Sequence, residues 1–334
     1  ESCNGWTYWH YNLNGSYILI DNLRQKFLDN KQPVECKDCW IHEKQGHKSL
    51  RIESNYLHKI VFTKNPKKYL KLLKLDNLSF PQAIVVEVTN LCNLKCYMCA
   101  GNNSSKLLVE NNELGYEKLN QKDYEFHDFT WKNIDNILSH NAKLLTLVGG
   151  EPLMVPDIRK ILQKCIDLKF SKNILLEIFT NGTLYDDEFK NLLKDFKNVR
   201  LVFSIEGIKK CNEYIRYPSN WNTIIQNIKK FKQENTTFHI NSVVQNLNIM
   251  YIDKLIQWAN KEKIHLKLDS VVRPEYLHYD NLPIELLKNA YKNLDDISKT
   301  ENLTHIENFN AILNNLKNKI KNYKLDKKRW DFFK

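Results

Sequence analysis

An α/β fold built on a parallel sheet is predicted for this chain by three observations. Between residues 81 and 272, six short β-rich runs alternate with helical patterns, the alternation from which parallel sheets are made. Several of these runs stop in small or polar residues, among them Gly149, Asn181, Ser204 and Gln245, where barrel-type folds gather their reacting groups. With 334 residues and 42% apolar content, the chain has room for one large α/β domain of barrel type and a smaller appendage.

Taken in order, residues 1–55 read as a small Cys-rich domain, with Cys3, then Cys36 and Cys39 in VECKDCW, then HEKQGHKSLR. Cys36 and Cys39 sit two residues apart in a turn-like context, ready to offer neighbouring thiolates, and Cys3 is the other Cys of this region. Zinc bound with two further ligands such as His42 or His47 is an alternative use of the pair. Trp6, Trp9 and Trp40 are expected in the core of this domain. Residues 56–80, containing KNPKKYLKLLKLDNL, carry apolar residues at helical spacing and read as a connector. The main domain, 81–272, runs AIVVEV, a helix near 131–140, LLTLVGG, a helix over 156–168, ILLEIFTNG, a helix over 186–196 and RLVFSIEG. It continues with a helix near 221–234, FHINSVVQ, a helix near 251–263 and IHLKLDSV. Residues 273–334 read as a helical extension through PIELLKNAYKNLDDI and IENFNAILNNLKNKIKNYKL, expected to cover the sheet or its edge.

The chemistry-bearing stretch follows the first strand. In EVTNLCNLKCYMCAG, Cys92, Cys96 and Cys99 fall at Cys-x3-Cys-x2-Cys spacing, three thiols within eight residues. A structural zinc site wants four closed ligands and the next candidate, His127, is distant in sequence. An iron–sulfur cube with three protein ligands keeps one iron open. The spacing and its flanks resemble the cluster loop of the radical S-adenosylmethionine (SAM) enzymes, with Met98 where that family often has an aromatic and Tyr97 one position earlier. Gly149, Gly150, Glu151 and Pro152, one β/α unit later, match the family's second signature.

This resemblance implies an incomplete (β/α)6 barrel of TIM type, with a [4Fe-4S] cluster on Cys92, Cys96 and Cys99 whose open iron chelates SAM. One electron from the cluster would then yield a 5′-deoxyadenosyl radical that takes hydrogen from substrate. Gly149, Gly150 and Glu151 would lie along the methionyl amino group, since residues without Cβ allow close backbone approach. Asn181, Ser204 and Glu206 match positions that contact the ribose and the methionyl carboxylate, though the same residues suit ordinary turns. Arg216 matches an arginine whose fork suits a carboxylate, or is a surface residue, and Gln245 is placed as an adenine neighbour. Cys165 and Cys211 read as packing residues. Cys36, Cys39 and Trp40, with Glu43, Gly46, Ser49 and Arg51, resemble the SPASM or twitch auxiliary-cluster domain, here ahead of the barrel, so Cys3, Cys36 and Cys39 are expected to share an auxiliary iron–sulfur cluster. The expected partners are SAM, a peptide or small-molecule substrate, and an electron donor such as flavodoxin or ferredoxin. No catalytic residue beyond the cofactor site is named.

Composition sets further bounds. Eight Cys, six of them grouped, suit cluster or metal chemistry in a reducing cytoplasm rather than a secreted disulfide framework. No apolar run reaches the length that spans a bilayer. The first residue is Glu1, with no basic-apolar leader after it, as expected of a processed chain or a fragment lacking its true start. The net charge of +11 admits a polyanionic partner, which keeps RNA modification, or a non-catalytic zinc or iron–sulfur module that binds nucleic acid, as alternatives. The excess is nearly all Lys spread along helical faces, which favours a solvated surface.

Overall fold

The predicted parallel sheet is present in the computed structural model, which describes residues 26–27, 29–44, 49, 52, 83–87, 89–116 and 143–323. Its strands are β1 (Ala83–Glu87), β3 (Leu144–Val148), β4 (Leu175–Thr180), β5 (Asn198–Ser204), β7 (Thr236–Val244), β8 (His265–Ser270) and β9 (Ile306–Glu307), hydrogen-bonded in that order. Every pairing is parallel, and among the described residues β1 and β9 are the two edges, so the barrel is open. A separate antiparallel ribbon joins β2 (Lys95–Cys96) to β6 (Arg216–Tyr217).

Successive strand residues point to opposite faces, and the sequence uses this alternation throughout. Ile84, Leu145, Leu176, Leu201, Ile240 and Leu266 belong to one buried core. Against it pack helices α3 (Pro156–Asp167), α4 (Asp187–Leu193), α6 (Trp221–Phe231) and α7 (Ile252–Glu262), each through its apolar stripe. Alternate residues on the other face are largely polar: Glu177 pairs with Arg200 at 2.9 Å, and the His239 and His265 rings lie 4.7 Å apart.

The structure corrects two expectations and leaves others outside its reach. Among the described residues the sheet holds the six strands expected within 81–272 and a seventh, β9, which arises inside the segment read as a helical extension. The helices flanking it, α8 (Ile284–Thr300) and α9 (Phe309–Lys321), bury Leu287, Leu294, Ile312 and Leu316 in the same core as the sheet. A two-residue strand is too short to show a period, which is why the alternation did not reveal it. Cys36 and Cys39 lie not in a turn but on successive helical segments, Val34–Cys36 and α1 (Lys37–Lys44), where both are buried. The remaining helix is α2 (Ser105–Glu113), apart from a six-residue α5 (Lys210–Ile215). The connector 56–80, the helix near 131–140, Cys3, Trp6, Trp9 and His47 lie outside the described residues.

Candidate cluster and cofactor site

The cysteine loop leaves β1 and is shaped by short polar contacts before any metal is considered. The Asn90 side chain donates to the Gly101 carbonyl at 2.7 Å, closing the loop across eleven residues. The Ser104 hydroxyl donates to the Leu94 carbonyl at 2.6 Å and also caps α2 by accepting from the Leu107 N–H. Inside this frame Cys92 and Cys96 are buried and Cys99 is half-buried. The sulfurs face N–H donors: Leu94 N–H and Asn181 Nδ2 approach Cys92 Sγ at 3.5 and 3.9 Å, and Arg216 Nη1 approaches Cys96 Sγ at 3.7 Å. Burial pushes the Cys92 thiol up, while the Cys96–Cys99 hydrogen bond, ahead of burial, pushes Cys96 up and draws Cys99 down.

Among the described residues, no three Cys, His, Asp or Glu side chains close on one point as the ligands of a single ion do. Donors aimed at sulfur favour thiolate over thiol, so the residues present fit an iron–sulfur group.

The Gly-Gly-Glu-Pro turn after β3 does its visible work against this loop. A Cβ on Gly150 would stand 2.1 Å from the Leu91 carbonyl oxygen, and one on Gly149 would stand 2.8 Å from that of Thr89. Gly149 and Gly150 have positive φ, +95° and +43° respectively, and Glu151 N–H donates to the same Leu91 carbonyl at 2.8 Å. The Glu151 side chain is fully buried and its oxygens are occupied: they accept from Thr180 Oγ1 at 2.8 Å, Asn181 N–H at 2.7 Å and Leu153 N–H at 3.2 Å. Burial pushes its carboxyl up to about 7, against these hydrogen bonds.

The other strand ends converge on the same region. Asn181, after β4, donates to Asn93 Oδ1 at 2.9 Å and accepts from Thr183 at 2.9 Å, beside Cys92. Ser204 closes β5 half-buried. Glu206 has no exposure, and one oxygen accepts from Arg216 Nε at 3.0 Å and Nη2 at 2.5 Å. Its other oxygen accepts from Val243 N–H at 2.6 Å and Ser242 Oγ at 3.3 Å. Burial raises the Glu206 carboxyl, opposed by Arg216. Burial works to lower the Arg216 guanidinium, but Glu206 and the cysteines beside it more than reverse this and hold it above its ordinary value. Gln245, after β7, is fully buried, with both amide atoms unpartnered among the described residues. Such an orphaned amide is the mark of a place where a ligand or water completes the bonding.

Sequence reasoning missed Asn248, whose side chain donates to the Glu206 and Val243 carbonyls, both at 2.9 Å, and accepts from Gln245 N–H. Nothing in an Asn-rich chain singles it out. Cys165 is buried on α3, its thiol pushed up to about 12 by burial, and Cys211 on α5 packs against Gly207. In the amino-terminal part, Ser49 donates to Glu43 at 2.5 Å and Trp40 Nε1 to the Pro33 carbonyl at 3.2 Å, around the buried Cys36 and Cys39.

Comparison with known proteins locates the same region. Residues 86–259, just over half of the chain, match the Radical SAM superfamily. An uncharacterized protein of Methanocaldococcus jannaschii is 30% identical over 183 residues, 52% of this chain and 57% of that protein. An AdoMet-dependent heme synthase of Methanosarcina barkeri is 28% identical over 183 residues, 54% of this chain and 48% of that protein. The chain thus spans about half the length of these curated relatives. Among solved structures, native anSMEcpe with bound AdoMet superposes with a TM-score of 0.51 at 19% identity, covering 69% of this chain and 65% of that one, a likeness of fold.

Proposed function

We propose, from the premise that this chain belongs to the Radical SAM superfamily, that it is an enzyme holding a [4Fe-4S] cluster on Cys92, Cys96 and Cys99 and binding SAM beside it. The observation that carries this reading is the loop of three cysteines, two of whose sulfurs are met by N–H donors, Cys92 by Leu94 and Asn181 and Cys96 by Arg216. When bound, the cluster and SAM supply one electron and a 5′-deoxyadenosyl radical that takes a hydrogen atom from substrate.

Within the chain the work divides by which polar groups are already spent. Gln245, with no side-chain partner among the described residues, suits the adenine, and the half-buried Ser204 suits the ribose and methionyl groups, which Asn181 would reach by exchanging its bonds to Asn93 and Thr183. Gly149, Gly150, Glu151 and Glu206 serve as frame, because their space or their oxygens are filled by the chain itself. A relative named for AdoMet dependence supports the choice of cofactor. The polar inner face of the sheet, with Arg200, His239 and Lys267, supports a polar peptide or small-molecule substrate. Cys36 and Cys39 are proposed, with Cys3, as ligands of an auxiliary iron–sulfur cluster, supported by the burial of both thiols on one short helical stretch.

The test is anaerobic reconstitution followed by iron and sulfide analysis, the broad visible absorption, and product analysis with SAM and dithionite. Slow release of 5′-deoxyadenosine and methionine is expected, abolished by replacing Cys92, Cys96 and Cys99 with Ala. Stoichiometric zinc with no cluster in the unmutated protein would overturn the reading.

A further inference from the structure

We propose that Arg216, held by Glu206, sets the reduction potential of the cluster bound by Cys96. This rests on the reading of Cys92, Cys96 and Cys99 as cluster ligands. It goes beyond that reading by giving a buried ion pair a task toward the metal.

The β2–β6 ribbon places the two residues together. Cys96 and Arg216 are direct cross-strand partners although 120 residues separate them, and Tyr97 N–H donates to the Ile215 carbonyl at 3.0 Å beside them. On the outer face of the ribbon, Lys95 Nζ lies over the exposed Tyr217 ring, 5.9 Å from its centroid. Alternation then turns Cys96 and Arg216 inward. The guanidinium fork is divided: Nε and Nη2 engage Glu206, which leaves Nη1 to point at Cys96 Sγ at 3.7 Å. Glu206 cannot swing away, since Val243 N–H and Ser242 Oγ hold its second oxygen.

The consequence follows from charge. A cluster that accepts one electron from an external donor gains one negative charge. A fixed buried cation and an N–H donor at a ligand sulfur both stabilise that reduced level, and hydrogen bonds to the sulfurs are among the determinants of cluster potential. The Glu206 carboxylate works the other way. Arg216 and Glu206 therefore affect the potential with opposite signs, which a purely structural ion pair would not do.

The experiment is a potentiometric titration of the reconstituted protein without SAM, with dithionite as the electron source and the reduced cluster read by electron paramagnetic resonance. Arg216→Gln is expected to lower the ratio of reduced to oxidised cluster at fixed potential by about tenfold or more, equivalent to about 59 mV for one electron. Glu206→Gln is expected to raise that ratio. Arg216→Lys, which keeps the charge but not the fork, is expected to lower it by less. Iron and sulfide counts come first: an unmutated protein without a cluster sinks the ligand reading and this proposal with it. Loaded variants at the wild-type potential, or Arg216→Gln and Glu206→Gln shifting in the same direction, overturn this proposal alone. Should Arg216→Gln fail to load, the opposite signs of Arg216→Lys and Glu206→Gln decide the matter.

Discussion

Glu151 carries a ligand-type side chain in a framework position. Its carboxylate bridges the ends of β3 and β4 through Thr180 and Asn181, and burial lifts it from 4.5 to about 7. A raised carboxyl means that the folded state keeps a proton the unfolded chain has released, so this contribution is full below about pH 4.5 and lost as pH rises through about 7. His239, driven from 6.5 to about 4 by burial and by Arg200 beside it, contributes in the opposite sense, fully above about pH 6.5 and lost as pH falls toward 4. The difference between the metal-free wild type and Glu151→Gln isolates the first effect. That difference in urea stability is expected to fall by roughly 3 kcal/mol between pH 4.5 and 8, from about 1.4 kcal/mol per pKa unit. A flat difference would show that the carboxyl keeps its ordinary pKa. Asn181 adds the complementary lesson, since one Asn side chain touches Asn93, Thr183 and a cysteine, so its replacement disturbs loop and strand end together.

Among the elements, β9 and α9 separate a decorative tail from a part of the core. Ile306, Phe309, Ile312 and Leu316 are buried in the same cluster as the sheet residues. Burying such side chains stabilises by about 1.5–3 kcal/mol each, and together they match a typical net stability of about 5–15 kcal/mol. A chain ended at residue 302 is therefore expected to lose cooperative unfolding and become protease-sensitive throughout, as read by circular dichroism in urea and by limited proteolysis. A sharp transition at the wild-type midpoint would make the segment a true extension. The ribbon is the other informative element, because two residue pairs, Lys95–Tyr217 and Cys96–Arg216, bring Arg216 to the cysteine loop.

At the scale of the molecule, the charge of +11 is the feature with two readings, footprint or solvated surface. Phosphate-driven binding falls steeply as counterions compete, so single-stranded RNA affinity is expected to drop by roughly tenfold or more between about 50 and 200 mM salt. Filter binding or anisotropy across that range checks it, and tight structure-selective binding at the higher salt would place RNA modification ahead of a peptide or small-molecule substrate. Among the described residues no helix is long and apolar enough to cross a membrane. What could be read directly from the chain was whatever depends on neighbours in sequence: the parallel α/β sheet from its strand–helix alternation, and the Cys92, Cys96 and Cys99 spacing from eight consecutive residues. Folding alone chose the partners. Arg216 meets Cys96 across 120 residues, Glu206 meets Val243 across 37, and Gly150 lies under Leu91, because register and loop closure, not local pattern, decide which strand ends come together. For the same reason a two-residue edge strand, stabilised only by the neighbour it pairs with, left no trace in the sequence while completing the sheet.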